Sequence, residues 1–359
     1  MAGKAISIKK IAHLAQVSHS TVSRALRNNP RISAETAQRI QRIAAQHGYH
    51  PSLAARSLVT RRTQTIGCVV TSIADPFVAG VVTGVEEVAN RHGYSVFLAN
   101  SKGDAKRELD VVRVFREHRV DGILVAASRL GSEYVPHLRQ LQIPIVLINN
   151  LQPGDFINSV TIDNLEAARV MVRHLVELGH REIAYIGDES GDQSNRERLA
   201  GYCQTLQDAG IAMRSDFVVE AAAGPEGGER QMEHLLSLPA RPSAVFCYDD
   251  LIALGALKAI RRAKLSAPAD ISVVGFDDIF VASYTDPPLT TMRQPMTAMG
   301  RRAMGILIEL LSRPFEETRT ENWHVKVSGE LVVRESTARP QKTKENQDAT
   351  SQQPTPASR

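Results

Sequence analysis

Residues 17–24 read VSHSTVSR, three serines, a threonine, a histidine and an arginine set around two valines. Hydroxyl, imidazole and guanidinium groups on one surface are the groups that bond phosphate oxygens and base edges. Helical spacing sorts them into faces. Val22, Ala25 and Leu26 fall together, and His19, Ser20, Ser23, Arg24 and Arg27 fall opposite. The surrounding charge has the same meaning. Residues 1–62 hold eleven Lys or Arg against one acid, Glu35, a balance of +10; the rest of the 359-residue chain holds 32 bases against 38 acids, or −6. A small basic head on a mildly acidic body is the electrostatic footprint of a polyanion binder. A solvated three-helix module is the bland alternative, and the coincidence of charge with small polar groups argues against it.

A second set of polar residues directly follows apolar runs. Asp75 comes after VVTSI, Asn149 and Asn150 after PIVLI, Asp249 and Asp250 after VFCY, and Asp277 and Asp278 after VVGF. Open α/β sheets offer ligands the carboxyl ends of their strands. Acids at such junctions also cap helices, so spacing alone leaves both roles open.

The elements that must position these groups fall into a head, a linker, a body and a tail. In the head, 5–50, Ser7, Ser18 and Ser33 stand where helix caps belong. The apolar positions Ile8, Ile11, Ala12 and Ala15 recur at helical spacing behind the first of them. Two short helices joined by a tight turn at Gln16 and Val17, closed by a third helix, make a helix-turn-helix unit. In that geometry the second helix enters the major groove of double-stranded DNA. A hinge and linker span 51–65. The body, 66–336, alternates short apolar runs (TIGCVVT, YSVFLAN, GILVAAS, PIVLINN, EIAYIG, SAVFCYD, SVVGFDD) with amphipathic ones such as 77–92, 164–179 and 251–263. GILVA and IPIVLI do not alternate, which predicts parallel strands covered on both faces and a two-lobed α/β body. The tail, 337–359, has no Leu, Ile, Val, Met or aromatic residue and is expected to be disordered.

Other classes are disfavoured. Cys68, Cys203 and Cys247 have no metal or disulfide spacing and are expected to be buried free thiols in a reducing compartment. No apolar stretch precedes the N-terminal lysines, and no run approaches the roughly 20 residues of a membrane span, so a cytoplasmic, nucleoid-associated protein without membrane contact is expected. Glycine-rich phosphate loops, GxSxG and HExxH are missing from the sequence, so neither catalysis nor a cofactor or metal is expected.

IKKIAHLAQVSHSTVSRAL, then RISAETAQRIQRIAAQHGYHPSLAARSL, closely resembles the head of the lactose/galactose repressor family, and the resemblance runs over about 5–336. It implies a homodimeric repressor of carbohydrate-metabolism genes. Two heads would bind a pseudo-palindromic operator, and a small-molecule effector, a sugar or sugar derivative, would sit between the lobes of a type I periplasmic-binding-protein-like body. His19 and Ser20 match its variable recognition positions and Arg24 its base-reading arginine, with Thr21 and Ser23 on phosphate and Arg27 beside them. Pro51 to Leu58 match its hinge helix, with Leu58 as the minor-groove wedge and Arg56 along the groove or a phosphate. Phe77, Ser194, Arg198, Asp249 and Asp277 match its effector positions, while Asp250 and Asp278 are assigned to capping. Four positions depart from the pattern. Gln16 and Lys10 stand where the family favours Gly or Asn and an acid, and Ala222 and Ala223 replace a large aromatic, which predicts a roomier cleft. A solute-binding protein shares the body fold but has no use for a +10 head.

Overall fold

Serine hydroxyls open all three helices of the head. Ser7, Ser18 and Ser33 precede α1 (Ile8–Leu14), α2 (His19–Ala25) and α3 (Ala34–Gln46), and each accepts the backbone N–H three residues on. Each bond satisfies one of the orphan donors of a helix start. The computed structural model describes residues 6–26, 28–49, 62–126, 142–149, 158–318 and 323–341. Arg27, Arg56 and Leu58 lie outside them, as does the hinge helix expected over 51–58. Ile11, Ala12, Ala15, Val22, Ala25 and Ile40 form the buried core of the head, with Leu26 and Tyr49 packed against it. Gln16 closes the turn between α1 and α2 at φ 54°, a left-handed conformation that Gly or Asn adopts most readily, while Val17 N donates to Ala12 O. A non-glycine residue in that region costs about 1–2 kcal/mol.

The second compact unit begins at Thr65 and contains two six-stranded sheets. The first lobe comprises β1 (Thr65–Val70), α4 (Pro76–Arg91), β2 (Ser95–Asn100), α5 (Ala105–Glu117), β3 (Gly122–Ala126), β4 (Ile145–Ile148) and β5 (Asn158–Ile162). The second comprises α6 (Asn164–Leu178), β6 (Ile183–Asp188), α7 (Gln193–Asp208), β7 (Val218–Ala221), α8 (Pro225–Ser237), β8 (Ala244–Cys247), α9 (Asp250–Arg262), β9 (Ser272–Asp277) and β10 (Thr290–Arg293). The chain then returns to the first lobe through α10 (Met296–Ser312), α11 (Phe315–Thr318) and β11 (His324–Val327), and finishes in the second with β12 (Glu330–Val332). Strand orders are β11-β5-β4-β3-β1-β2 and β12-β10-β9-β8-β6-β7, parallel throughout except for β10 with β12. Three crossovers therefore join the lobes, at residues 163, 294–295 and 328–329.

β1, β3 and β4 are buried along their whole length, as unbroken apolar runs require. α4 and α10 cross backbone to backbone: a Cβ on Gly84 would stand 2.0 Å from Thr297 O. Among the described residues no helix is long and apolar enough to cross a membrane.

Several expectations are corrected. Cys68 and Cys247 are buried, but Cys203 is only part-buried, because it lies on the outer side of α7 with its Sγ against exposed Met213. β2 is an edge strand whose Phe97 and Leu98 are each 49% exposed, so an apolar run did not mean burial there. Residues 337–341 are placed against the second lobe. Ala338 O accepts from His180 Nε2 and Ala338 N donates to Ser272 Oγ, so polar side chains and backbone hold a segment that lacks large apolar groups. His180, just before β6, is 1% exposed and also bonds Ser243 and Ser272.

Candidate functional site

The carboxyl ends of the two sheets face a cleft of about 560 Å³. The first lobe contributes Thr71, Ser72, Asp75, Phe77, Asn100, Lys102 and Asn149, and the second Asp188, Asp192, Arg198, Ala223, Tyr248, Asp249, Leu251 and Asp277. Phe77 is there because Asp75 caps α4, accepting from Phe77 N at 2.9 Å and turning the ring inward until only 3% is exposed.

Arg198 comes from the first turns of α7 and is 1% exposed. Its Nε donates to Asn164 Oδ1 at 2.9 Å and its Nη1 to Tyr248 O at 2.5 Å. The guanidinium lies 3.6 Å from the Phe276 ring centroid and 4.5 Å from that of Tyr248. Stacking on aromatic faces attracts a planar cation into a poorly hydrated site. Asp249 is the N-cap of α9, with Oδ1 accepting from Ile252 N at 2.7 Å, so one carboxylate both caps the helix and faces the cleft. Asp277 ends β9 at φ 117° and Asp278 follows at φ 57°. Consecutive non-glycine residues with positive φ are held by their surroundings. Gln294 Nε2 donates to Asp277 Oδ1 at 2.5 Å, and Arg293 and Arg334 clasp Asp278 at 2.7 and 2.6 Å.

The expected capping roles need revision. Asp250 is fully buried but caps nothing: Thr291 Oγ1 donates to its Oδ1 and Ile279 N to its Oδ2, tying α9 to β10 and the loop after β9. Asp278 serves its two arginines and no helix. Of the five expected effector positions, Phe77, Arg198, Asp249 and Asp277 line the cleft; Ser194 is buried behind it, its hydroxyl 3.5 Å from Asn149 O. Tyr248, Asp188, Asp192, Asn100 and Lys102 were not singled out in the sequence. Asp188 was within reach of the strand-then-acid pattern, since EIAYIG is followed by it directly. Ala223 lines the cleft where an aromatic would fill it, in keeping with a roomier site on that side.

Five aspartates against Arg198 and Lys102 make the cleft rich in acceptors. Burial raises the Asp249 carboxyl to about 7, and it raises Asp277 well above the usual range although Arg198 opposes the shift. A raised carboxyl keeps its proton in the folded chain while the unfolded chain loses it, so Asp249 subtracts stability as pH climbs from its unfolded value near 3.8 to about 7, with no further loss above. Asn preserves the helix cap without titrating. The stability of Asp249→Asn relative to the unmodified chain should therefore grow between pH 4 and 7 and level off beyond. Part of the carboxyl faces cleft water, so the expected total is about 2 kcal/mol. Urea denaturation across that range measures it, and a difference independent of pH would contradict the burial of this group.

In the head, α2 buries Val22 and Ala25 and leaves His19, Ser20 and Arg24 exposed, with Thr21 and Ser23 half-buried. The Ser18 hydroxyl lies 2.8 Å from Ser20 Oγ and 2.9 Å from Thr21 Oγ1, which orders the start of this face. The exposed set is short and polar, as close approach to a groove requires.

Comparisons with known proteins agree with both units. A family described as bacterial regulatory proteins, lacI family, matches residues 7–52, and a periplasmic binding protein-like domain matches 172–337. The HTH-type transcriptional repressor PurR of Actinobacillus pleuropneumoniae is 32% identical over 92% of this chain and 98% of its own length. The lac repressor dimer bound to operator and the anti-inducer ONPF matches with a TM-score of 0.84 at 27% identity, over 93% of this chain and 100% of that one. A complex of the transcriptional regulator CelR with cellobiose matches at 0.70 and 30% identity, over 92% and 99%. With a capped helix-turn-helix head, a two-sheet body and likeness along nearly its whole length, the chain belongs to the lacI family of bacterial transcription regulators.

Proposed function

We propose that the chain acts as a cytoplasmic homodimeric repressor of carbohydrate-metabolism genes, released from or driven onto a pseudo-palindromic operator by a sugar or sugar derivative in the cleft. The observation that carries the ligand class is the pairing of Arg198 with Asp249 and Asp277 across one open volume. Hydroxyl groups donate and accept at once, and such a lining satisfies both functions. Five carboxyl groups against two cations disfavour a phosphorylated or carboxylated effector. The CelR relative holds cellobiose, which supports a carbohydrate here. Nothing in this reading calls for catalysis.

The dimer has candidate surfaces at Phe97 and Leu98 on the edge of the first sheet, and at Phe280 and Tyr284, 72% and 82% exposed, on the second lobe. Large apolar side chains so exposed mark contact surfaces. The lac repressor relative is a dimer on its operator, and two-fold protein symmetry suits a palindrome. A solute-binding role leaves the head without purpose.

A thermal-shift panel of neutral sugars, amino sugars, sugar phosphates and uronic acids tests the ligand class. A cognate neutral or amino sugar at a hundred times its dissociation constant stabilises by about 2.7 kcal/mol. Stabilisation by a sugar phosphate or uronic acid alone would sink the proposed class.

A further inference from the structure

We infer that Asn164 and Gln294 are positioning residues that couple Arg198 and Asp277 of the cleft to the crossovers between the lobes. The inference rests on the effector reading of the cleft and adds how its occupancy reaches the hinge. Gln294 is the first residue after β10, on the second crossover, and is 3% exposed. It touches Asp277 twice: its Nε2 donates to Oδ1 and its backbone N donates to Asp277 O at 3.1 Å. Asn164 is the first residue past the first crossover, is also 3% exposed, and takes the Nε–H of Arg198. Arg198 and Asp277 are thus each bonded directly to a side-chain amide at or beside a crossover.

Residues at and beside the crossovers are in turn bonded to one another. Asp163 N, on the first crossover, donates at 3.1 Å to the O of Val327, the residue before the third. Arg293 and Glu330, the residue before the second crossover and the residue after the third, are joined by a bond from Arg293 Nη1 to Glu330 Oε2 at 2.9 Å. The result is a continuous path from Arg198 past all three connections to Asp277. One acceptor in it is unfilled. Gln294 Oε1 is buried without a hydrogen-bond partner among the described residues. A buried amide oxygen left unpaired costs free energy, so the inference includes a second arrangement of residue 294 in which this oxygen is paired. Two arrangements of one packed element are what a ligand needs in order to shift an equilibrium. A hydroxyl or amine donating to Asp277 competes with the Gln294 amide for the same carboxylate and so acts on the crossover directly.

A double-mutant cycle on the full-length protein tests this without knowledge of the effector. The unmodified protein first selects a palindrome from random duplex DNA, and Kd for that duplex and its salt dependence are then measured for Asp277→Asn, Gln294→Leu and the double variant. Each single change should move Kd by about fivefold or more, the lower end of typical coupling, in the same direction. The double should move it no further than the larger single, and the salt slope should stay unchanged because the head keeps its phosphate contacts. A merely structural role would move the melting temperature and leave Kd alone. Single changes that leave Kd within fivefold, or effects that multiply, overturn the inference. If Gln294→Leu does not fold, Arg198→Lys with Asn164→Ala is read by the same criteria. Failure of the unmodified protein to select any duplex would instead overturn the regulator reading, before any variant is compared.

Discussion

Replacing Arg198 with alanine is expected to lower the unfolding free energy of the body by about 3–5 kcal/mol, the cost of breaking a buried charged network from one side. Asn164 Oδ1 and Tyr248 O would each lose their charged donor, at about 1–3 kcal/mol for a buried acceptor left unpaired. The Phe276 ring would lose the guanidinium stacked on it. Asp249 and Asp277 would lose the cation that opposes their upward shift, leaving five aspartates around the cleft with Lys102. Those acids relieve part of the penalty by holding protons, so the deficit should be larger at pH 8 than at pH 5. Urea denaturation of both proteins at the two pH values measures this. Arg198→Lys should fall between them, keeping the charge but losing the planar fork that reaches Asn164 and Tyr248 together. A deficit below about 1 kcal/mol for Arg198→Ala, the worth of an ordinary exposed contact, would show that the cleft is not organised around this residue.

How much of this site was legible in the sequence depended on the range of the interactions. The serine caps of the head, the left-handed Gln16 and the buried runs of β1, β3 and β4 follow from local rules, and the structure contains all of them. β5, β7, β10, β11 and β12 were not anticipated. NSVTI, VVEA, TTMR, HVKV and ELV are only three to five residues long and interrupted by polar groups, and they become strands because a neighbouring strand supplies the ladder. The exposure of Phe97 and Leu98 was hidden for the opposite reason, since an apolar run reads alike at the edge of a sheet and in its middle.

At the cleft, family likeness identified Arg198 and Asp277, but not what they touch. Asp277 meets Gln294 across seventeen positions and Arg198 meets Asn164 across thirty-four, distances over which no periodicity carries. That the cap of α9 is Asp249 rather than Asp250 has a similar origin. Two adjacent acids at a helix start are equivalent in sequence, and the third-neighbour N–H selects the one with extended backbone, Asp249 at φ −140° and ψ 175°. Asp250, one residue into α9, points instead toward Thr291 and the loop after β9.

In the head, Arg24→Ala and Lys10→Ala should separate reading from attraction. Arg24 is exposed on α2, one turn beyond Ser20 and beside buried Val22, which fixes the helix to the head core. An arginine that pairs with a guanine edge is worth about 1–3 kcal/mol of discrimination per half-site. A palindrome engages two heads, so the dimer should lose about 2–6 kcal/mol on its selected duplex and almost nothing on random DNA. Lys10 is exposed on α1, the helix that crosses the backbone in this motif. Its loss should weaken selected and random duplexes alike and reduce the salt slope by about 1 per head. Titration of both variants against both duplexes at several salt concentrations separates the two effects. Phosphates are the same in every duplex, so a contact to them cannot discriminate, while a base-edge contact cannot help where its base is missing. Equal weakening of both duplexes by Arg24→Ala would therefore move Arg24 from the groove to the backbone and leave His19 and Ser20 as the residues that read sequence.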